Sequence, residues 1–509
     1  MQTIMSTDTI KALKMQTLNI LIGPILCCLI LLLPQPAGLP PVGMRAIAGT
    51  AWIVAWWMLN YFSLAGTALL TIGIYTLLGV MSPIEMFKNF GGTTPMIIFG
   101  STLLIGTWIE SKFIQRYAYW CMNRPIVDNS PTKFLILFGL SCGLLSIPVP
   151  NIPLSALFTA IAVATAEGLD IKPGQSNLIR IMCMVAGMAA CYGGIGSPMG
   201  GAPNLVTIGY VDKFAHYQVE FWQWTLLGLP AALICLFALF FIAKIMFPAK
   251  DNEKKSLPVP REYLNEKLKA LGPVSTYEHV AVIIMLVALF LWITGPFIAN
   301  ASGIKFLKGV FSVPGVAFLT GVSLFIIPRG IDKEKGKFIF SMDWKQAEKN
   351  IGWAIMCMVV GGLIIGDAMQ AGGVDKWLSG LLSEWLKNVP GSIVWFAIVL
   401  VSALLSQFLN NFAVMAVFTP IAIHLGNTLG FNPVAAAISI GMVSNIGVMF
   451  PFSSTPIAVS ITGAKDYASI GDYAKLGFII CVVGSAIVFA CAYLLAPLAF
   501  PDVIPASVQ

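Results

Sequence analysis

Four short stretches of this 509-residue chain hold its candidate chemistry: 146–159, 193–208, 406–419 and 447–462. None contains Lys, Arg, His, Asp or Glu. They offer amides and hydroxyls instead, on Ser146, Asn151, Ser406, Asn411, Ser454 and Thr455, set among Pro148, Pro150, Pro153, Pro198 and Pro451. Proline lacks the N–H donor and clashes with the preceding turn, so no straight helix passes through Pro148–Pro153. Backbone opened in this way leaves free N–H and C=O groups at the broken ends. Free helix N-termini suit an anion. A cationic substrate would want a carboxylate, and none stands in these stretches. An anion buried alone is costly, and a small cation held by carbonyl and hydroxyl oxygens would supply the countercharge. The residues therefore point to an anion moving with Na+ or a proton. An enzyme would need a nucleophile, an acid/base pair or a metal cluster at the breaks. None is present, so no catalytic residue and no cofactor is expected.

The elements around these stretches are apolar. The chain is 57% hydrophobic and only 10% charged, against about 25% charged in an average soluble domain. This composition predicts a polytopic membrane protein with no sizeable soluble domain. The ten cysteines form no CxxC pair and lie mostly in apolar runs, as buried inert thiols do. Runs long enough to cross a bilayer fall at 17–34, 43–60, 62–80, 92–111, 180–209, 222–247, 277–298, 309–327, 352–371, 432–462 and 474–497. Two more, 134–164 and 393–425, are interrupted by the Pro and Asn breaks and read as re-entrant hairpins. The fold class is thus all-α, with about eleven transmembrane helices plus two re-entrant hairpins.

Placing the N-terminus in the cytoplasm leaves only Arg45, Lys88, Lys213, Lys305, Lys308, Lys376 and Lys387 outside, of 30 basic residues. This bias supports a multi-pass protein of the cell membrane with a cytoplasmic N-terminus. It also accounts for most of the net charge of +7, so lipid, and not nucleic acid, is the expected partner. The first apolar run follows Lys11 and Lys14 and could mimic a signal peptide, but losing it would not alter the remaining topology.

The chain repeats itself. At an offset of 260, residues 144–162 match 404–422 at nine of nineteen positions, among them Ser146/Ser406, Asn151/Asn411 and Thr159/Thr419. At an offset of 253, GIGSPMGGAPNLVTI from Gly194 pairs with GVMFPFSSTPIAVSI from Gly447, aligning Pro198/Pro451 and Pro203/Pro456. The predicted organisation is an N-terminal segment and first helix (1–42), a first repeat (43–247) and a cytoplasmic linker (248–276). A second repeat (277–497) and a C-terminal tail (498–509) follow. Hairpin 134–164 and broken helix 180–209 belong to the first repeat, and hairpin 393–425 and broken helix 432–462 to the second. Five crossings and one hairpin per repeat place the second copy on the opposite face, so the repeats are inverted. Inverted repeats with paired discontinuous helices mark a transporter whose site lies near the membrane midplane.

From about residue 45 to 495 the chain resembles the divalent anion/sodium symporters, which carry dicarboxylates, citrate or sulfate. The resemblance rests on AWWMLNYFSLAGTALLTIGIYTLLGVMS, IESKFIQRYAYW, MDWKQAEKNIGWAIMCMVVGGLIIGDAMQAGG, the loop GGIGSPMGGAPN and the loop PFSSTP. It implies a homodimer in which a hairpin-bearing part moves like an elevator against a scaffold, with Na+ as coupling ion. Substrate contacts are then expected from Asn151, Ile152, Asn411, Phe412, Pro198, Pro451, Ser454 and Thr455. Na+ contacts are expected from Ser146, Asn151, Gly196, Ser406 and Asn411. The family's Ser-Asn-Thr motif stands here as Pro150-Asn151-Ile152 and Asn410-Asn411-Phe412. Both threonines, which touch substrate carboxylates in the family, are replaced by apolar residues.

Structural roles compete with these readings. Asn151 and Asn411 suit helix caps; Ser146 and Ser406 could bond back to their own helices; Pro198 and Pro451 could serve geometry alone. Asp367 reads as a solvated interface residue, and His424 as a bystander on the returning arm of the second hairpin. The charged stretch 249–269 reads as a solvated linker. The function that emerges is secondary transport of a small organic anion, a di- or related carboxylate. The alternatives are a Na+-independent exchanger, a carrier of sulfonate, sulfate or monocarboxylate, and an anion channel.

Overall fold

The computed structural model describes residues 7–59, 62–127, 130–250, 261–386 and 388–503. Residues 1–6, 251–260 and 504–509, parts of the predicted N-terminal segment, linker and tail, lie outside the described residues. The chain opens with α1 (Thr7–Leu32), α2 (Pro41–Leu59) and α3 (Leu64–Leu77), then α4 (Pro83–Phe87), α5 (Thr93–Glu110) and α6 (Phe113–Met122). A hairpin of α7 (Pro131–Leu145) and α8 (Asn151–Gly168) precedes a broken helix, α9 (Asn177–Gly193) and α10 (Ala202–Phe214). Helices α11 (Phe221–Met246), α12 (Arg261–Ala270), α13 (Thr276–Ser302), α14 (Lys305–Val310) and α15 (Val313–Ser323) follow. After strands β1 (Pro328–Asp332) and β2 (Lys337–Phe340) come α16 (Trp344–Asn350), α17 (Trp353–Ala371) and α18 (Val374–Leu386). The second hairpin is α19 (Gly391–Leu405) and α20 (Asn411–Leu429), the second broken helix α21 (Pro433–Ser444) and α22 (Thr455–Gly463), and α23 (Ile470–Ala499) closes the fold.

Helices occupy all eleven predicted runs, and the protein is an α-helical membrane protein. Among the described residues, seven helices are individually long and apolar enough to span a bilayer, and α4–α5 form one more, bent by 41°. The amphipathic α6 and α18, the linker helix α12 and the small antiparallel sheet, with Ile331 opposite Phe338, were not expected. The two hairpins keep the repeat in register: α7 starts at Pro131 and α19 at Gly391, and α8 starts at Asn151 and α20 at Asn411, both pairs 260 residues apart.

Local chemistry sets these ends. Ser130 and Asn432 accept hydrogen bonds from the first turns of α7 and α21, each followed by a proline at the first helical position. Ser176 caps α9, and Ser469 forms a capping box with Asp472 on α23. The breaks fall where proline or glycine interrupts the run.

Helices α2, α3, α5, α15 and α17 pack together as one group, while α7, α8 and α22 gather around α9, and α19, α20 and α10 around α21, both helices being almost wholly buried. At Gly193 a β-carbon would collide with the Gly143 carbonyl, so only glycine lets the first break sit against α7. Hairpin arms cross over between repeats: α8 packs on α22, and α20 packs on α10. Phe237, Phe241, Phe290 and Leu494 project outward from α11, α13 and α23, where acyl chains would meet them.

Candidate functional site

A cavity of about 270 Å³ opens where the two hairpin tips meet the two helix breaks. Its far wall comes from the other group of helices and is mostly apolar, with Trp57, Leu64, Ile98 and Ile355. Among the described residues, no Lys, Arg, His, Asp or Glu lines it. Four helices begin at this cavity, with Asn151, Ala202, Asn411 and Thr455 as their first residues. Pro150, Gly201 and Ser454 stand before α8, α10 and α22 without any side-chain cap bond. Only α20 is capped, by Asn410, whose Oδ1 accepts from Phe412 N at 2.9 Å. The capping role open to Asn151 and Asn411 is therefore not theirs. Four converging N-termini concentrate positive partial charge in a space with no formal charge of its own.

Behind the first tip, oxygens cluster around Asn151. With its amide nitrogen turned inward, Asn151 donates to Gly200 O at 2.6 Å, Ser146 Oγ at 2.8 Å and Ala190 O at 3.1 Å. With its oxygen inward, it accepts only from Ser146 Oγ, at 2.8 Å, and two carbonyls then face a third oxygen. That second arrangement suits a hard cation bound by neutral oxygens. When the Asn151 nitrogen donates to it, Ser146 Oγ gives its one proton to Ala190 O at 2.7 Å, so it bonds across to α9 and not only within its own turn.

The second tip repeats this with fewer bonds. Asn411 Oδ1 and Ser406 Oγ are buried and have no hydrogen-bond partner among the described residues. Buried polar atoms are nearly always paired, so Asn411 Oδ1, which with the Ser406 carbonyl lies beside Gly447, marks a position for a donor or a cation. The residues present thus fit small-cation binding at both tips.

Three amides not anticipated from the sequence hold the breaks open. Asn204 Nδ2 donates to Gly194 O and Ser197 O, both at 2.7 Å, and Asn445 Nδ2 donates to Asn204 Oδ1 at 2.7 Å. Gln407 is fully buried; its Nε2 donates to Ile446 O at 2.8 Å, and its Oε1 accepts from Val448 N at 2.9 Å and Met449 N at 3.1 Å. Unlike the tip asparagines, none of the three has a repeat partner of the same type, the only signal that could have singled them out.

The cavity brings together Asn151, Ile152, Asn411, Phe412, Pro451, Ser454 and Thr455. Pro198 and Gly196 do not line it; Gly196 packs near Ile147 and Ala232, and the Gly200 carbonyl faces Asn151 instead. His424 lies on α20 away from the cavity. Asp367 is a correction. It is not solvated but 8% exposed, because Lys213 from the end of α10 forms an ion pair with it and Asn89 donates to it at 2.8 Å.

Comparison with known proteins bears on the same geometry. The sodium-dependent dicarboxylate transporter SdcS of Staphylococcus saprophyticus is 26% identical over 489 residues, covering 95% of this chain and 92% of that one. SdcS of Staphylococcus aureus strain USA300 is 25% identical over 492 residues, with the same coverage of 95% and 92%. Two solved structures share the fold: MtrF of Neisseria gonorrhoeae (TM-score 0.54, 13% identity, 81% of this chain and 83% of that one) and the YdaH transporter of Alcanivorax borkumensis (TM-score 0.51, 14% identity, 82% and 88%). The family model described as the sodium:sulfate symporter transmembrane region matches residues 14–498. With nearly its whole length matched, this chain belongs to the sodium:sulfate symporter family of membrane transporters.

Proposed function

We propose that the protein is a secondary active transporter that moves a small organic carboxylate across the cell membrane together with Na+. The observation that carries this reading is the convergence of four helix N-termini, three of them uncapped, on a cavity lined by no Lys, Arg, His, Asp or Glu among the described residues. Such a site attracts an anion through backbone dipoles and leaves its charge to be balanced by something brought in with it. The oxygens of Ser146, Asn151 and Gly200, and of Ser406 and Asn411, supply neutral ligands for that cation. The sodium dependence and dicarboxylate substrate that the name of SdcS carries agree with this assignment.

The transport cycle is an elevator motion. The hairpins and broken helices form one wall of the cavity, and the apolar wall of α2, α3, α5 and α17 offers a smooth face to slide against. The inverted repeats supply the two end states, since exchanging the conformations of the two copies turns an outward opening into an inward one. The N-terminus is cytoplasmic, and the working unit is a homodimer.

Proteoliposome uptake tests the reading. Saturable accumulation of a carboxylate driven by an inward Na+ gradient, with counterflow, is expected. Uptake that ignores Na+ and requires an internal anion would make the protein an exchanger, and passive ohmic flux would make it a channel.

A further inference from the structure

The repeat makes the two halves of the cavity alike in backbone, but they differ in chemistry. Because the hairpin arms cross over, α8 and α22 form one half, and α20 and α10 form the other. In the first half neither helix start has a side-chain cap, and Ser453, Ser454 and Thr455 line the cavity beside them. Ser155 extends this polar seam, donating to Pro456 O at 2.6 Å.

In the second half, the offsets of 260 and 253 put Met415 where Ser155 stands and Gly200, Gly201 and Ala202 where the three hydroxyl residues stand. The α20 start there is capped from within the protein, and the α10 start, though it carries no side-chain cap, has an amide oxygen against it. Asn410 Oδ1 holds Phe412 N, and Asn445 Oδ1 lies so close over Gly201 that a β-carbon would strike it. An amide oxygen beside a helix start repels a second anion, and at α20 it also takes up a backbone donor. Phe412, 8% exposed, fills the adjoining position.

We propose that the transported species is an organic monoanion. Its single carboxylate binds between α8 and α22, and its uncharged, partly apolar remainder lies toward Phe412 and Ala202. A second carboxylate at the α20–α10 end would exchange its water for an amide oxygen and a phenyl ring, leaving a buried charge unpaired. This inference rests on the anion-transport reading above and names its substrate class.

Calorimetric titration of the purified full-length protein in Na+ buffer, with pairs matched in carbon count, tests it. Butyrate is compared with succinate, and valerate with glutarate. The monoanion of each pair is expected to bind at least about tenfold more tightly, a difference of roughly 1.4 kcal/mol. Thr455→Ala should weaken butyrate binding, and Ala202→Thr, which restores a hydroxyl at the matching position of the second half, should narrow the gap between pair members. The wild-type comparison decides the matter if either variant misfolds. Equal or tighter binding of succinate and glutarate overturns the monoanion assignment and leaves anion transport standing. Binding of neither series, by protein that shows a cooperative melting transition, overturns both.

Discussion

Asn445 reaches from one broken helix to the other and donates to Asn204 Oδ1 at 2.7 Å, with both side chains buried. The two breaks are thus joined directly, and the carbonyls freed by the first break are satisfied through the same pair.

Asn204→Ala should therefore cost more than an ordinary core truncation. It leaves Gly194 O, Ser197 O and Asn445 Nδ2 without their present partner. At about 1–3 kcal/mol per buried unpaired group, less what water recovers, a loss of about 3 kcal/mol is expected. Thermal unfolding in detergent measures it, and an unchanged Tm would show that the link is not structural.

Gln407 should behave in the same way at the second break. Gln407→Leu keeps the volume but leaves Val448 N, Met449 N and Ile446 O unpaired. Its repeat counterpart is Ile147, so Ile147→Leu is the matched control. The expected result is a clear drop in Tm for the glutamine variant, by about 2–3 kcal/mol in stability, and little change for the control.

The oxygen cluster makes a separate forecast about Na+. Ser146→Ala removes one oxygen from beside Asn151, and should raise the Na+ concentration for half-maximal uptake several-fold while uptake at saturating Na+ falls less. Asn151→Ala and Asn411→Ala should abolish most uptake in protein that still reaches the membrane. A Ser146→Ala profile that overlays wild type would remove the cation from this position.

The Lys213–Asp367 pair connects α10, beside the breaks, to α17 in the opposing wall. An elevator motion has to break it in one of its end states. Asp367→Asn should thus shift the balance between outward and inward forms, read by accessibility of a cysteine placed at Thr102 on the cavity wall. The charge-reversed double variant Lys213→Asp/Asp367→Lys should restore the wild-type balance. Accessibility that stays the same in both variants would mean the pair holds no state.

Much of this site was legible because its signals are local or repeated. Pro148, Pro150 and Pro153 announce a break by their own geometry, and Asn151 stands out because Asn411 recurs 260 residues later. The supporting amides were not legible. Gln407 and Asn445 sit in apolar runs where periodicity says nothing of a partner, and each is defined by groups some 40 or 240 residues away, backbone for Gln407 and the Asn204 side chain for Asn445. Asp367 misled for the same reason: Lys213 and Asn89, the groups that allow its burial, are far off in sequence. The amphipathic α6 and α18 escaped notice because the apolar-run criterion finds spans and passes over helices with only one apolar face.

The crossed packing of the hairpin arms has a consequence for how such a chain can change over time. Because α8 braces the α22 start and α20 braces the α10 start, lengthening one arm by a residue would rotate its whole face by about 100° and misfit the other copy's break. Side chains at the tips can be exchanged one at a time, as Ile152 and Phe412 illustrate, while insertions in the arms cannot. The helix starts agree with this: α7/α19 and α8/α20 remain 260 residues apart, but Asn177 and Pro433, beyond the arms, are only 256 apart. Length differences between the copies fall outside the arms, in the loops after them and between α9 and α21, so new substrates are reached by repainting a fixed frame.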